Sequence, residues 1–123
     1  MANPNIVAVT SIYGNTSYLI PSNTSATTWT ALTPATGTVN KIDNIVASNV
    51  TSSDVTLTVS VNSATGGGGT AYRIAYQISV PPNASLIVVD KTTAFYLGES
   101  QSVVVTVGTG SAIELTSSYE AIT

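Results

Sequence analysis

Apolar and polar residues alternate along most of this chain, in short runs separated by Gly, Pro, Asn and Ser. In the clearest run, residues 55–61, Val or Leu occupies every second position and Thr or Ser fills the positions between. A period of two places alternate side chains on opposite faces of a β-strand, so this run predicts a strand with one buried and one solvated face. We find no run with the helical period and predict no significant helix.

Nine or ten segments have strand character, with breaks every eight to twelve residues or so. They cover residues 5–13, 17–20, 26–32, 38–49, 55–61, 72–80, 84–89, 94–97, 102–107 and 112–121. This count and spacing predict an all-β fold, a two-sheet antiparallel β-sandwich with jelly-roll or Greek-key-like connections, or else a flattened barrel. The length fits one domain, predicted to span residues 1–123.

The sequence between residues 61 and 72 predicts the tip of a long antiparallel hairpin. Glycine accepts any backbone conformation but loses much entropy when it is ordered. The tip is therefore either mobile or a site of close contact. Its four consecutive glycines are Gly66, Gly67, Gly68 and Gly69.

Side-chain parity predicts which face of other strands is buried. Tyr72 and Tyr76 share a parity with neighbouring isoleucines, which favours the core for both. Residues 86–89 are apolar on both parities, which predicts a strand that is covered on both faces. In residues 38–49 the apolar parity changes, which predicts a bulge near Asp43 and Asn44.

The amino-acid composition excludes most kinds of catalytic and metal-binding site. Only 7% of the residues are charged, against roughly 25% in an ordinary soluble domain. The chain has no His and no Cys, so no Ser-His-Asp or Cys-His catalysis and no thiolate site is available. Its six carboxylates lie apart in sequence, which predicts solvated charges, with a calcium site assembled from distant loops left open. We predict no enzyme, no cofactor and no metal.

Charge and hydropathy also bear on partners. Three basic residues and a net charge of −3 argue against nucleic-acid binding, which needs clustered Lys and Arg. The longest strongly apolar run has four residues, far below the roughly 20 of a membrane helix. The first residues lack the basic and apolar regions of a signal peptide, which predicts a product made and kept in the cytoplasm, with no membrane partner.

The N-terminal residues 1–9 are predicted to form an extended arm that reaches a neighbouring subunit. The Pro at position 4 favours an extended start, and residues 6–9 are apolar. The alternative is a frayed terminus followed by an ordinary edge strand.

The aromatic residues allow a second hypothesis, that the domain binds sugars. Trp29 lies among threonines, and with exposed tyrosines it could stack on a sugar, although such residues are more often core or interface anchors.

Three segments resemble small virion structural proteins of tailed bacteriophages, especially those of cyanobacterial and other marine hosts. They are VPPNASLIVVDKTTAFYLGES at residues 80–100, SYEAIT at residues 118–123 and NIVAVTSIYG at residues 5–14. The chain departs from the pattern at residues 98–100, Gly-Glu-Ser, where an acidic residue followed by glycine is expected. The resemblance implies a particle component, without fixing its place in the particle, and transfers no catalytic residue.

A charge-poor surface suits permanent contact with other subunits, because interface cores are depleted in charge. Our hypothesis is a capsid cement or decoration protein on the surface of the phage head, dimeric or trimeric, with the major capsid protein and its own copies as partners. A neck, tail or fibre subunit is one alternative, and a glycan- or receptor-binding adhesin module is another. The candidate interface residues are Asn3, Pro4, Asn5, Ile6, Val7, Trp29, Gly66, Gly67, Gly68, Gly69, Tyr119 and Ile122.

Overall fold

A computed structural model describes residues 3–123, so residues 1 and 2 of the predicted arm lie outside the described residues. The described part forms nine strands and one short 3₁₀ turn. The strands are β1 (Ile12–Leu19), β2 (Thr27–Thr28), β3 (Val39–Asn49), β4 (Val55–Asn62), β5 (Ala71–Val80), β6 (Ser85–Val89), β7 (Phe95–Leu97), β8 (Ser102–Val107) and β9 (Ile113–Ile122), and the 3₁₀ turn is Thr30–Leu32.

The strands form two antiparallel sheets. The first has the order β1-β9-β3-β6, with the short β7 beside β6 on the same edge of β3, and the second has the order β2-β8-β4-β5. With β7 set aside, the first of the eight remaining strands pairs with the last, the second with the seventh, the third with the sixth and the fourth with the fifth. This nested pairing is the connectivity of a jelly roll. The predicted β-sandwich is confirmed.

The core lies between the two sheets and is aliphatic except for one tryptophan. Strand β4 contributes Val55, Leu57 and Val59, all buried, as the alternation in residues 55–61 predicts. Strands β3, β8 and β9 contribute further buried residues, so the central strands of both sheets supply most of the core side chains.

Several local predictions are confirmed. Strand β8 has the predicted bounds, β3 and β4 differ from theirs by one residue at one end, and β9 is shifted by one residue at both ends. The register between β3 and β9 shifts between Ile42 and Asn44, which makes Asp43 the extra residue of the predicted bulge.

The prediction of a strand at residues 5–13 is wrong for most of its length, because β1 begins at Ile12. The side chain of Asn5 accepts the N–H of Val7 at 2.9 Å, and its carbonyl accepts the N–H of Ala8 at 3.0 Å. Such local side-chain bonds compete with a strand ladder. Residues 26–32 likewise divide into the two-residue β2 and the 3₁₀ turn.

Residues 86–89 are covered on one face only. Leu86 lies opposite the buried Ala47, whereas Ile87, opposite Val46, is exposed. Strand β6 lies at the edge of its sheet, and Ile87 is 64% exposed there. The prediction of a doubly covered strand is therefore wrong.

Candidate interaction surfaces

Strand β5 carries an exposed apolar band at one edge of the second sheet. Its four large apolar side chains are exposed by 64%, 39%, 57% and 41%, in the order Tyr72, Ile74, Tyr76 and Ile78. Within residues 3–123, β5 pairs with β4 alone, so its other edge has no strand beside it. All four exposed fractions exceed one third, and grouped exposed apolar residues often mark an interaction site.

The exposure of Tyr72 and Tyr76 corrects the prediction that both lie in the core. The register between β4 and β5 shifts twice, between Leu57 and Val59 and between Val59 and Ser60, and each shift gives β5 one extra residue. Because an extra residue reverses side-chain parity, a parity count along β5 does not define one face.

One bulge of β5 is held by a specific contact. Gln77 has a positive φ of 49°, and its N–H donates to the hydroxyl of Thr58 at 3.0 Å. The Arg73 guanidinium lies 5.0 Å from the ring centre of Tyr76, within the range of a cation–π contact. The first contact holds the backbone of the bulge and the second places Arg73 over Tyr76, while the apolar side chains of the band stay in solvent.

A second exposed apolar segment precedes β1. Val7 is 90% exposed and Ile6 is also exposed, whereas Pro4 is half-buried. The side chain of Asn3 lies against Gly98, since a Cβ on that glycine would be 3.1 Å from the Asn3 amide. The segment therefore contacts its own domain at its start and presents Ile6 and Val7 to solvent.

The two ends of the described chain meet. The carbonyl of Thr123 accepts the N–H of Thr10 at 2.6 Å, and Ile122 pairs with both Ile12 and Val39. Ile122 is buried and Tyr119 is half-buried against the core. The burial of Ile122 corrects its place in the candidate set, whereas Tyr119 keeps part of its surface exposed.

Trp29 is 1% exposed, which rules out a sugar-stacking or interface role for this side chain in the folded chain. It lies in the main core cluster, and its indole N–H donates to the hydroxyl of Ser17. The flanking threonines suggested exposure, but they belong to β2 and to the 3₁₀ turn, between which the tryptophan points inward.

Residues 66–69, the glycine segment, are in close contact with the rest of the domain. The carbonyl of Gly66 accepts the hydroxyl of Thr28 at 3.2 Å, and a Cβ on Gly67 would lie 2.7 Å from that hydroxyl and 3.2 Å from Val104 Cγ2. The segment thus lies over the outer face of the second sheet and covers Val104. Within the segment, Gly67 is half-buried by this contact, whereas Gly66, Gly68 and Gly69 are exposed.

A single buried amide, Asn62, organises that segment. Its Nδ2 donates to the carbonyls of Gly67 and Gly69, at 3.1 and 3.3 Å, and its Oδ1 accepts the N–H groups of Ala64 and Gly69, at 3.0 and 2.9 Å. Four bonds satisfy the whole capacity of the amide and fix the turn.

The outer face of the first sheet carries a depression of about 530 Å³ that the sequence did not predict. Four of the nine charged side chains line it, namely Lys41, Asp43, Asp90 and Lys91, over a floor of Val46, Ile87, Val89 and Ala94. Strand β3 and the turn after β6 bring them together, which spacing along the chain does not reveal. Most ligand pockets have volumes of about 300–1,000 Å³.

The charged groups of the depression differ in how they are held, by a weak ion pair or by hydrogen bonds within a turn. Lys41 Nζ and Asp43 Oδ1 are 4.0 Å apart and both side chains are about one-third exposed, so their attraction is weak. Asp90 is held in a turn by bonds from Thr92 and Thr93 to its Oδ1. The hydroxyl and backbone N–H of Thr92, which bond to the charged form, lower the pKa of this carboxyl.

Within residues 3–123, neither a metal-ligand cluster nor a membrane-spanning helix is present. No three His, Cys, Asp or Glu side chains come together as a metal cluster. No helix of that part of the chain is long and apolar enough to cross a membrane.

Comparison with known proteins adds no relative. No protein-family model matches the chain, and no curated protein matches it.

Proposed function

We propose that this chain is a structural protein of a tailed-bacteriophage virion, most specifically a capsid cement or decoration protein that bridges neighbouring capsomers of the head. The observation that carries the proposal is the apolar band on β5, at an unpaired edge of a jelly roll. Jelly rolls recur in viral capsid domains, although a fold alone does not decide a function.

The distribution of charge supports a surface made for contact. Arg73 is the only charged residue of β5, and its guanidinium lies over Tyr76. The depression on the other sheet holds four of the nine charged groups. The band therefore has the charge-poor, aromatic composition that is typical of interface cores.

The exposed edge also supplies a means of association. An unpaired strand presents backbone N–H and C=O groups that can pair with another chain, and this is a liability that proteins usually manage. In the proposed particle the major capsid protein and further copies of this chain, as a dimer or trimer, cover the band. A standard interface takes about 800 Å² from each partner, so the band would form part of a larger contact surface. Modest affinity suffices when many such contacts act together on one shell.

The role would be mechanical: the domain holds capsomers together against the outward pressure of packaged DNA. The test uses tailed-phage particles that contain this chain. We expect hundreds of copies per particle, imaging that places them on the head surface, and heads that break at a lower temperature once the protein is stripped. A copy number that is a small multiple of three, five or six would instead indicate the neck, tail or fibre.

A glycan-binding module is the second candidate, because jelly rolls also occur in lectins and the depression offers charged groups above an apolar floor. Five tyrosines are exposed and could stack on sugar rings, namely Tyr13, Tyr18, Tyr72, Tyr76 and Tyr96. The test is a carbohydrate array with the wild type and the Asp43→Ala variant. Saturable binding that the substitution abolishes would support this candidate, and an array without binding would remove it.

A further inference from the structure

Four buried side-chain oxygens have no hydrogen-bond partner among residues 3–123: Thr33 Oγ1, Asn40 Oδ1, Glu99 Oε1 and Ser117 Oγ. Most buried polar atoms in native proteins have a partner, so each exception needs a physical explanation. Three of the four, those of Thr33, Asn40 and Glu99, belong to one end of the sandwich.

Three contacts bring these residues together. Glu99 Oε2 accepts the N–H of Gly37 at 2.6 Å, and Asn40 Nδ2 donates to the carbonyl of Leu32 at 2.9 Å, the residue before Thr33. Asn40 also lies opposite Leu97, two residues before Glu99. The segment 32–40 and the turn after β7 therefore place a carboxylate, an amide oxygen and a hydroxyl in one region.

Glu99 makes no ion pair with any residue between positions 3 and 123. Glu99 is 6% exposed, and the ion pair found in the described part of the chain joins Lys41 to Asp43 instead. A buried carboxylate that is neither paired nor fully hydrogen-bonded is strongly unfavourable. One backbone N–H satisfies only one of its two oxygens.

We propose that this end of the sandwich binds a hard metal cation, calcium or sodium, through Glu99 Oε1, Asn40 Oδ1 and Thr33 Oγ1. An all-oxygen set without nitrogen or sulfur suits these cations, and backbone carbonyls commonly supply further ligands. Magnesium fits less well, because it demands octahedral geometry and keeps several waters, whereas these oxygens are closed to solvent. With a single carboxylate, we expect calcium affinity near 10⁻⁴–10⁻³ M, the weak end of protein sites.

This site is independent of the proposed function, and the chain carries its own reporter. Trp29 is the only tryptophan, and its carbonyl accepts the N–H of Leu32, the residue whose carbonyl binds Asn40. We would dialyse the full-length protein against chelator and follow thermal unfolding by Trp29 fluorescence with calcium, sodium, magnesium or choline chloride. At a tenfold excess over Kd, one site should raise Tm by about 3–6 °C for calcium or sodium, with little effect of magnesium or choline.

Glu99→Gln is the decisive variant, because it removes the charge but keeps an oxygen that accepts the Gly37 N–H. We expect it to lose the cation-dependent shift and to melt above the metal-free wild type. Glu114→Gln, at an exposed carboxylate of β9, is the matched control and should keep the shift. A shift equal in the wild type and Glu99→Gln would place any binding elsewhere and overturn the proposal.

A direct measurement keeps the proposal testable if Glu99→Gln does not fold. Equilibrium dialysis of the wild type with calcium or sodium should give one bound ion per chain. No bound ion at millimolar concentration, together with an unchanged Tm, would overturn the site.

Discussion

The indole N–H of Trp29 donates to the hydroxyl of Ser17 over 3.1 Å and so joins the two sheets through a buried hydrogen bond. Trp29 directly follows β2 and its backbone N–H bonds to Val103 of β8, whereas Ser17 belongs to β1 in the other sheet. Both side chains are buried, so neither group has water as an alternative partner. The first and second strands of the jelly roll are therefore tied across the core near the start of the chain.

Trp29→Phe should destabilise the fold by about 2–4 kcal/mol, because it leaves a cavity and an unsatisfied Ser17 hydroxyl. Equilibrium unfolding in urea measures this loss. In the double variant with Ser17→Ala the hydroxyl is absent, so the second substitution should cost less than it does in the wild type. Strictly additive costs would show that the bond contributes nothing.

Gly67→Ala should destabilise the protein by about 1–3 kcal/mol, whereas Gly68→Ala should be nearly neutral. Gly67 has a φ of 79°, and a Cβ there would meet the Thr28 hydroxyl, while a Cβ on Gly68 meets nothing within 4 Å. Because the two positions are adjacent in sequence, comparing them distinguishes the effect of the contact at Gly67 from the general effect of replacing a glycine with alanine. Thermal unfolding compares them, and equal melting temperatures would contradict the described docking of the segment.

The buried face of a strand could be predicted from sequence where the strand pairs with its neighbour without a bulge, because every second side chain then lies on the same face. Strands β4 and β8 satisfy this condition, and the single bulge of β3 shows as a change of parity at Asp43. In β5 two bulges lie within six residues. Apolar residues still occupy every second position of the sequence, but each bulge moves the following side chains to the other face of the sheet. The pairing of β1 with β9 and the burial of Trp29 depend on contacts between residues far apart, which a local pattern does not encode.

The candidate sites likewise divide into features that follow from local sequence and features that depend on contacts between distant strands. Ile6 and Val7 are exposed although residues 6–9 are apolar, whereas Trp29 and Ile122 are buried by partners that come from other strands. The depression with Lys41 and Asp90 forms only when the turn after β6 lies beside β3. Surface composition could be anticipated, whereas assembly of side chains from several strands could not.

Asp90 should make stability depend on pH on the acid side. The Thr92 hydroxyl, followed by the Thr92 backbone N–H, lowers the pKa of Asp90 from its ordinary value of 3.8. A lowered pKa in the folded state means that this contribution is complete above the unfolded-state pKa and is lost as pH falls through the folded-state pKa. Urea unfolding between about pH 5 and pH 2 should therefore show a steeper loss for the wild type than for Asp90→Asn. Parallel curves would contradict the role of the turn.

The band on β5 should govern self-association. Replacing Tyr72 and Tyr76 with Ser removes the two most exposed side chains of the band, so folding should persist, with Tm within a few degrees of the wild type. We expect the wild type to sediment as a dimer or trimer at micromolar concentration and the double variant to sediment as a monomer. Tyr18→Ser, which removes an exposed tyrosine from the other sheet, is the control and should leave the oligomer intact. If the wild type is monomeric, copies of this chain do not cover the band in solution, and a fall in the oligomer with Tyr18→Ser would place the contact on β1 instead.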